Sequence, residues 1–402
     1  MPAPHSSQPP TILRLFLSAL RLGLTSFGGP VAHLGFFRDE YVARRRWLDD
    51  SAFGDLVALC QALPGPASSQ VIFGIGLATK GWLGGLACWA GFTLPSALIM
   101  MACGYKAASM GVFPHAGWLA GLKIAAVAVV AQAVWGMGTQ LCTDRSRLTL
   151  ALMAAMAMLL MPAGATPLVV IVIGGLLGWA RYRRIRIPTT PAPLPFELSH
   201  TRGAATLLLF FLLLLLLPAA ASWTHSQGLL YFNGFYRVGA LVFGGGHVVL
   251  PLLQSQVVRR GWVDDGTFVA GYGVAQALPG PLFSFAAYLG AAAKVAPNGW
   301  LGGLICLLGI YLSPLLLMAG AIPFWETLRR TRSAQAALRG ANAAVTGILL
   351  AALYDPLWQT AIHSGRDLAL AMGSFVLLFV WRFPPWLIVL LTALAGQMWL
   401  KG

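Results

Sequence analysis

The sequence predicts an all-α polytopic membrane protein of about 13 transmembrane segments, built as two inverted homologous repeats with broken helices. Three observations predict it. Charge is scarce: 10% of residues are Asp, Glu, Lys or Arg against 58% hydrophobic, where a soluble domain carries about 25% charge. Many windows reach the roughly 20 apolar residues that a helix needs to cross a bilayer, and mean hydropathy is +0.74. Finally, the chain repeats itself.

Four blocks recur in one order. Arg21-Leu22-Gly23-Leu24-Thr25-Ser26-Phe27-Gly28-Gly29 returns as Arg237-Val238-Gly239-Ala240-Leu241-Val242-Phe243-Gly244-Gly245. Trp47-Leu48-Asp49-Asp50 returns as Trp262-Val263-Asp264-Asp265. Gln61-Ala62-Leu63-Pro64-Gly65-Pro66 returns as Gln276-Ala277-Leu278-Pro279-Gly280-Pro281. Gly81-Trp82-Leu83-Gly84-Gly85 returns as Gly299-Trp300-Leu301-Gly302-Gly303. The offset stays between 215 and 218 residues. Duplicated hydrophobic segments interrupted by Gly and Pro at matching positions point to a transporter.

The expected segments, in order, are 14–37, 53–79, 83–104, 117–140, 148–161 and 165–180 in the first half. They continue as 204–222, 231–253, 268–295, 300–323, 337–356, 366–381 and 385–400. Residues 1–186 form the first repeat. Residues 187–203 are a polar linker whose prolines resist helix packing. Residues 204–222 are a lone leucine-rich crossing with no counterpart in the first half, and residues 223–402 are the second repeat. One unpaired crossing makes the second repeat enter from the opposite side. No cleaved signal peptide is expected, because Met1–Pro10 has no basic start before an apolar run.

Net charge is +15, which on a soluble protein would suggest nucleic acid. Here most basic residues fall in loops, where they set orientation and meet lipid headgroups, so no nucleic-acid partner is expected. With the N-terminus cytoplasmic, sixteen of the 27 basic residues fall inside and eight outside. The loop 38–52 is the exception, placing Arg38, Arg44, Arg45 and Arg46 outside. Either the exception is real or the first segment is a re-entrant hairpin, and the sequence leaves both open.

Candidate functional residues cluster at the breaks. Glycine runs end helices, and backbone N–H groups freed inside a membrane must meet a cavity or a ligand. A broken helix end with converging donors is an anion site. The first half offers Arg21, Phe27, Gly28, Gly29, Gln61, Pro64, Gly65, Pro66, Ser68 and Lys123 as substrate-binding residues. The second offers Arg237, Phe243, Gly244, Gly245, His247, Gln276, Pro279, Gly280 and Pro281. Charges at such depth are costly and usually functional, and their positive balance favours an anion over a cation. Each also has a structural alternative: a kink, a tight helix crossing, a snorkelling arginine or a packed histidine. The five scattered cysteines read as small buried residues. No phosphate loop, zinc-protease motif or nucleophile elbow occurs, so no enzyme activity, metal or cofactor is expected.

The run Ser26-Phe27-Gly28-Gly29-Pro30, then Trp47-Leu48, Gln61 to Pro66 and Gly81 to Gly85, resembles the chromate ion transporter family. The second copy, with Phe243-Gly244-Gly245-Gly246-His247 and Gln276 to Pro281, resembles its long two-domain type. The resemblance covers nearly the whole chain. It implies a bacterial inner-membrane protein that exports chromate, a tetrahedral dianion shaped like sulfate, and so confers chromate resistance. Sulfate or molybdate uptake or exchange by the same fold is the alternative, and a passive channel or a lipid flippase are more distant ones. The lipid bilayer, a tetrahedral oxyanion and a second copy of the chain in a homodimer are the expected partners.

Overall fold

The computed structural model describes residues 10–27, 29–110, 117–161, 166–183, 199–242, 249–325 and 331–399. It is all-helical among these residues. In the first half α1 is Ile12–Thr25, α2 Gly29–Phe37, α3 Asp50–Ala62 and α4 Ala67–Met110. They are followed by α5 Gly117–Leu141, α6 Arg145–Leu160 and α7 Thr166–Tyr182. Then comes α8, His200–Thr224. The second half runs α9 Gln227–Leu241, α10 Val249–Val257, α11 Asp265–Ala277, α12 Phe285–Ala291 and α13 Gly299–Ala321. It closes with α14 Arg332–Ala352, α15 Gly365–Phe379 and α16 Pro385–Trp399. Five helices are long and apolar enough to cross a membrane. The apolar side chains of α8 are mostly turned outward, Leu208, Leu215 and Leu216 among them, as a lipid-facing helix requires.

Four expected crossings are instead hairpins: this decides the open choice for 14–37 in favour of the hairpin and corrects the segments 53–79, 231–253 and 268–295. A straight helix would hold Ser18 and Tyr41 roughly 35 Å apart, yet their hydroxyls lie 3.2 Å from each other. The chain therefore reverses between α1 and α2. In the same way Gly74 of α4 packs on Leu56 of α3, Gln256 of α10 on Gly234 of α9, and the Tyr288 hydroxyl of α12 donates to the Thr267 carbonyl of α11 at 3.2 Å. Each reversal occurs at a Gly- or Pro-rich break, where the intrahelical hydrogen bonds end. The sequence shows the break; only these long-range contacts show which way the chain leaves it.

The remaining repeated blocks are structural. In both Trp-x-Asp-Asp copies the first aspartate caps a helix: Asp49 accepts from Ala52 N–H at 2.7 Å and Asp264 from Thr267 N–H at 2.8 Å. The second aspartate begins the helix, where an acid suits the dipole. In the Gly-Trp-Leu-Gly-Gly copies the first glycine makes a turn, Gly81 at φ 61° and Gly299 at φ 56°. The later glycines let two arms touch: Gly84 faces Gly76, and Gly302 faces Gly290. Thus α4 is two arms that double back at Lys80–Gly81, with Phe73 and Trp82 rings 5.9 Å apart.

The long arm of α4, residues 81–110, runs antiparallel to α13. Met101 packs on Gly303, and the Trp89 and Tyr311 rings are 5.3 Å apart. The Lys80–Gly81 reversal lies at one end of this arm, while Gly299 meets Tyr105 near the other. Outer helices pair across the halves at small residues, as membrane helices do. Gly117 and Gly121 of α5 face Gly396 and Thr392 of α16, and Gly174 and Gly178 of α7 face Ala344 and Gly340 of α14.

Candidate functional site

The described residues at the breaks pair two by two across the halves. Gly65 N–H, in the Pro-Gly-Pro turn of the first half, donates to the Val242 carbonyl at 2.6 Å. Gly280 N–H, in the matching turn of the second half, donates to the Ser26 carbonyl at 2.9 Å. Val242 and Ser26 each immediately precede a Phe-Gly-Gly block, so each half caps the broken helix of the other. Burying a carbonyl unpaired would cost about 1–3 kcal/mol, and these reciprocal bonds remove that cost for one carbonyl in each half.

Positive φ makes glycine necessary at both turns: Gly65 has φ 128° and Gly280 φ 95°. Gly65 also lies against Pro314 of α13, and Gly280 lies against Ser96 and the Gly23 carbonyl. The Gln70 amide straps the first turn to the other half, donating to Pro64 O at 3.0 Å and Pro314 O at 3.1 Å. His33 Nε2 lies 3.2 Å from the Ser26 carbonyl, and its ring stands edge-on to Phe92 at 5.2 Å.

A buried polar seam crosses this junction. The Tyr311 hydroxyl stands beside those of Ser69 and Thr93. Thr93 and Tyr311 occupy matching positions in the two copies, so they face each other where the halves meet. The buried side-chain atoms Ser26 Oγ, His33 Nδ1, Ser69 Oγ, Gln70 Oε1, Thr93 Oγ1, Gln276 Nε2 and Tyr311 OH have no well-formed hydrogen-bond partner. Folded proteins pair nearly all such groups. A concentration of hydroxyls, amides and imidazole without well-formed partners at one junction suits a polar ligand. The first turn of α4 adds free backbone N–H groups beside Ser68 and Ser69.

Of the residues expected to bind substrate, the structure brings several to this junction. Pro64, Gly65, Pro66, Ser68 and Pro281 are buried there, with Pro279 and Gly280 half-buried. Gln276 ends α11 and is half-buried, whereas Gln61 is exposed. Gly29, at φ 78°, starts α2, and the Phe27 ring lies 5.5 Å from that of Trp386. The charges lie elsewhere. Arg21 is exposed on α1, and Lys123 is half-buried beside Asp264 and the first turn of α11. Arg237 lines a separate cleft with Arg259 and Arg260. Gly28, Phe243, Gly244, Gly245 and His247 lie outside the described residues. Ser69 and Gln70 continue the polar stripe that follows Ser68 in the sequence, whereas Ser26, Thr93 and Tyr311 were not among the expected site residues. For Thr93 and Tyr311 the signal was a hydroxyl at the same position in both copies of an apolar helix, shortly before Pro95 and Pro314.

The chain matches the family described as Chromate transporter twice, over residues 13–179 and 229–397. The chromate transport protein of Pseudomonas aeruginosa is 28% identical over 398 residues, covering 96% of this chain and 92% of its own. An uncharacterized transporter of Methanocaldococcus jannaschii is 26% identical, covering 97% and 94%. A probable chromate transport protein of Synechococcus elongatus is 25% identical, covering 95% and 94%. No solved structure matches. With one family matched once by each half and nearly the full length shared with its relatives, this multi-pass membrane protein belongs to the chromate transporter family.

Proposed function

We propose that the protein exports chromate across the bacterial inner membrane by alternating access at the junction of the four breaks, and so gives chromate resistance. The observation that carries this reading is the reciprocal pair Gly65 N–H to Val242 O and Gly280 N–H to Ser26 O. Rocking one half against the other breaks or remakes this clasp, which couples access to the two sides. The ligand is a tetrahedral oxyanion, held by the hydroxyls of Ser69, Thr93 and Tyr311, by Gln70 and Gln276, and by the N–H groups that begin α4. Neutral donors suit a dianion that must also leave. Arg21, Arg237 and Lys123 act at a distance, raising the local potential without touching the anion.

The halves, 1–186 and 223–402, are inverted repeats joined by the linker 187–203 and the crossing 204–222. Two features support this: the reversals at Lys80–Gly81 and Gly299 lie at opposite ends of the long α4 arm, and the segment that forms α8 has no sequence counterpart in the first half. Four hairpins and nine crossings follow, the crossings being the long α4 arm, α5–α8 and α13–α16. Charge agrees. With the N-terminus cytoplasmic, the loop 38–52 returns inside with its four arginines, while Arg259 and Arg260 move outside. The inner side then holds eighteen basic residues and the outer side six, Lys106, Arg259, Arg260, Lys294, Arg366 and Lys401.

Everted vesicles energised by respiration test this reading. The expected result is chromate accumulation that excess sulfate blunts and an uncoupler abolishes. Sulfate or molybdate moving the other way, or no chromate accumulation, overturns the substrate or the direction.

A further inference from the structure

A repeated arginine pair keeps its acidic partner in the first half and lacks it in the second, which leaves an arginine cluster without its acid. Arg44 and Arg45 correspond to Arg259 and Arg260, since each pair ends two residues before the repeated tryptophan. Their packing is copied: the Arg45 guanidinium lies 4.8 Å over Trp47 and that of Arg260 5.2 Å over Trp262. In the first half Glu40 pairs with both arginines, at 3.0 Å to Arg44 and 2.6 Å to Arg45. Burial raises the Glu40 pKa, but the two guanidinium groups outweigh it and hold the carboxyl below its ordinary range.

In the second half the position of Glu40 is Ser255, whose hydroxyl donates to the Leu252 carbonyl at 2.7 Å. No carboxylate pairs with Arg237, Arg259 or Arg260 among the described residues. These three arginines instead line one cleft of about 380 Å³, with Ser255 and Gln256 beside them and Pro167 of α7 on the facing wall. Burial and the Arg237 charge push Arg260 below its ordinary pKa, but a guanidinium stays protonated. Three like charges around one cleft repel each other, and an anion placed among them relieves that repulsion. Guanidinium forks match the paired oxygens of a tetrahedral group.

We propose that this cleft binds a tetrahedral oxyanion group, supplied either by a free dianion of the sulfate type or by the phosphate of a lipid headgroup. This goes beyond the transport reading and stands whether or not the protein carries chromate.

Thermal melting of the purified full chain in detergent tests it at constant ionic strength. Inorganic sulfate is titrated in one arm and short-chain phosphatidylglycerol in the other. A ligand that binds the folded state raises the melting temperature saturably. Saturation with sulfate identifies a free anion, and saturation with phosphatidylglycerol alone identifies a headgroup. Two changes are expected to weaken the apparent affinity by about tenfold or more. The first is the double substitution Arg259→Gln with Arg260→Gln. The second is Ser255→Glu, which restores the carboxylate of the first half. Absence of saturable stabilisation by either probe, or stabilisation that survives undiminished in both variants, overturns the proposal. Flux in vesicles is a separate readout, so failure here leaves the transport reading intact, and the reverse holds too.

Discussion

Replacing Gly65 by alanine tests the clasp between the halves. At φ 128° the backbone occupies a region essentially reserved for glycine, and an L side chain there costs about 1–3 kcal/mol. The new Cβ overlaps the Pro314 Cβ and lies 2.8 Å from Gln70 Nε2, an overpacking cost of about 1–3 kcal/mol. Any shift that relieves the overlap lengthens the bond from Gly65 N–H to Val242 O, worth about 0.5–1.5 kcal/mol. The total is on the order of 3 kcal/mol or more. Gly280→Ala is the internal control. Its φ is 95°, and its Cβ meets the rotatable Ser96 hydroxyl at 3.1 Å and the Gly23 carbonyl at 3.2 Å, contacts looser than the Pro314 overlap, so the backbone term of about 1–3 kcal/mol dominates. The melting temperature of each variant in detergent, with chromate flux in vesicles alongside, is the assay. Gly65→Ala is expected to melt well below Gly280→Ala, and both below the wild type. A Gly65→Ala protein that melts with the wild type, or a reversed order, would refute the argument from the clasp.

Two further predictions concern the ends of the molecule. In a chain whose five native cysteines are replaced by alanine, Lys80→Cys and Asn298→Cys place single thiols on exposed positions beside the two reversals; a membrane-impermeant maleimide is expected to label Asn298→Cys in intact cells and Lys80→Cys only after permeabilisation, and labelling of both from one side would sink the inverted arrangement. Asp144 caps α6: burial raises its pKa, but the Arg147 N–H, the Tyr182 hydroxyl and the Arg147 guanidinium together hold the carboxyl at about 2. A depressed carboxyl stabilises the fold above its unfolded pKa, so this contribution is present above pH 3.8 and lost as pH falls through about 2. The difference in melting temperature between wild type and Asp144→Asn should therefore shrink across that window, and a constant difference would count against it.

The breaks at Gly65 and Gly280 were legible because they are local and follow from backbone preferences that a sequence displays. The caps at Asp49 and Asp264 and the turns at Gly81 and Gly299 are equally local, but in the sequence those blocks stand out only as repeats. The direction of the chain after each break is set by distant partners. Nothing within 14–37 distinguishes a kinked crossing from a hairpin, since both need the same glycines; the Ser18–Tyr41 contact decides it. The one local hint was the misplaced charge of the loop 38–52, which the proposed topology removes by returning that loop to the inner side. The same limit explains the site. Intramembrane arginines drew attention because charge is expensive in lipid, yet Arg21 is exposed and Arg237 turns to its own cleft. The junction is instead lined by hydroxyls that look ordinary one at a time. Thr93 and Tyr311 gain meaning only when the copies are aligned and found to face each other. A duplicated chain whose halves cap each other's broken helices cannot complete this junction from one half alone: without the second half, the Ser26 carbonyl and the Gly65 N–H each lose their partner. That mutual dependence is a physical reason for the two copies to be fused into one chain.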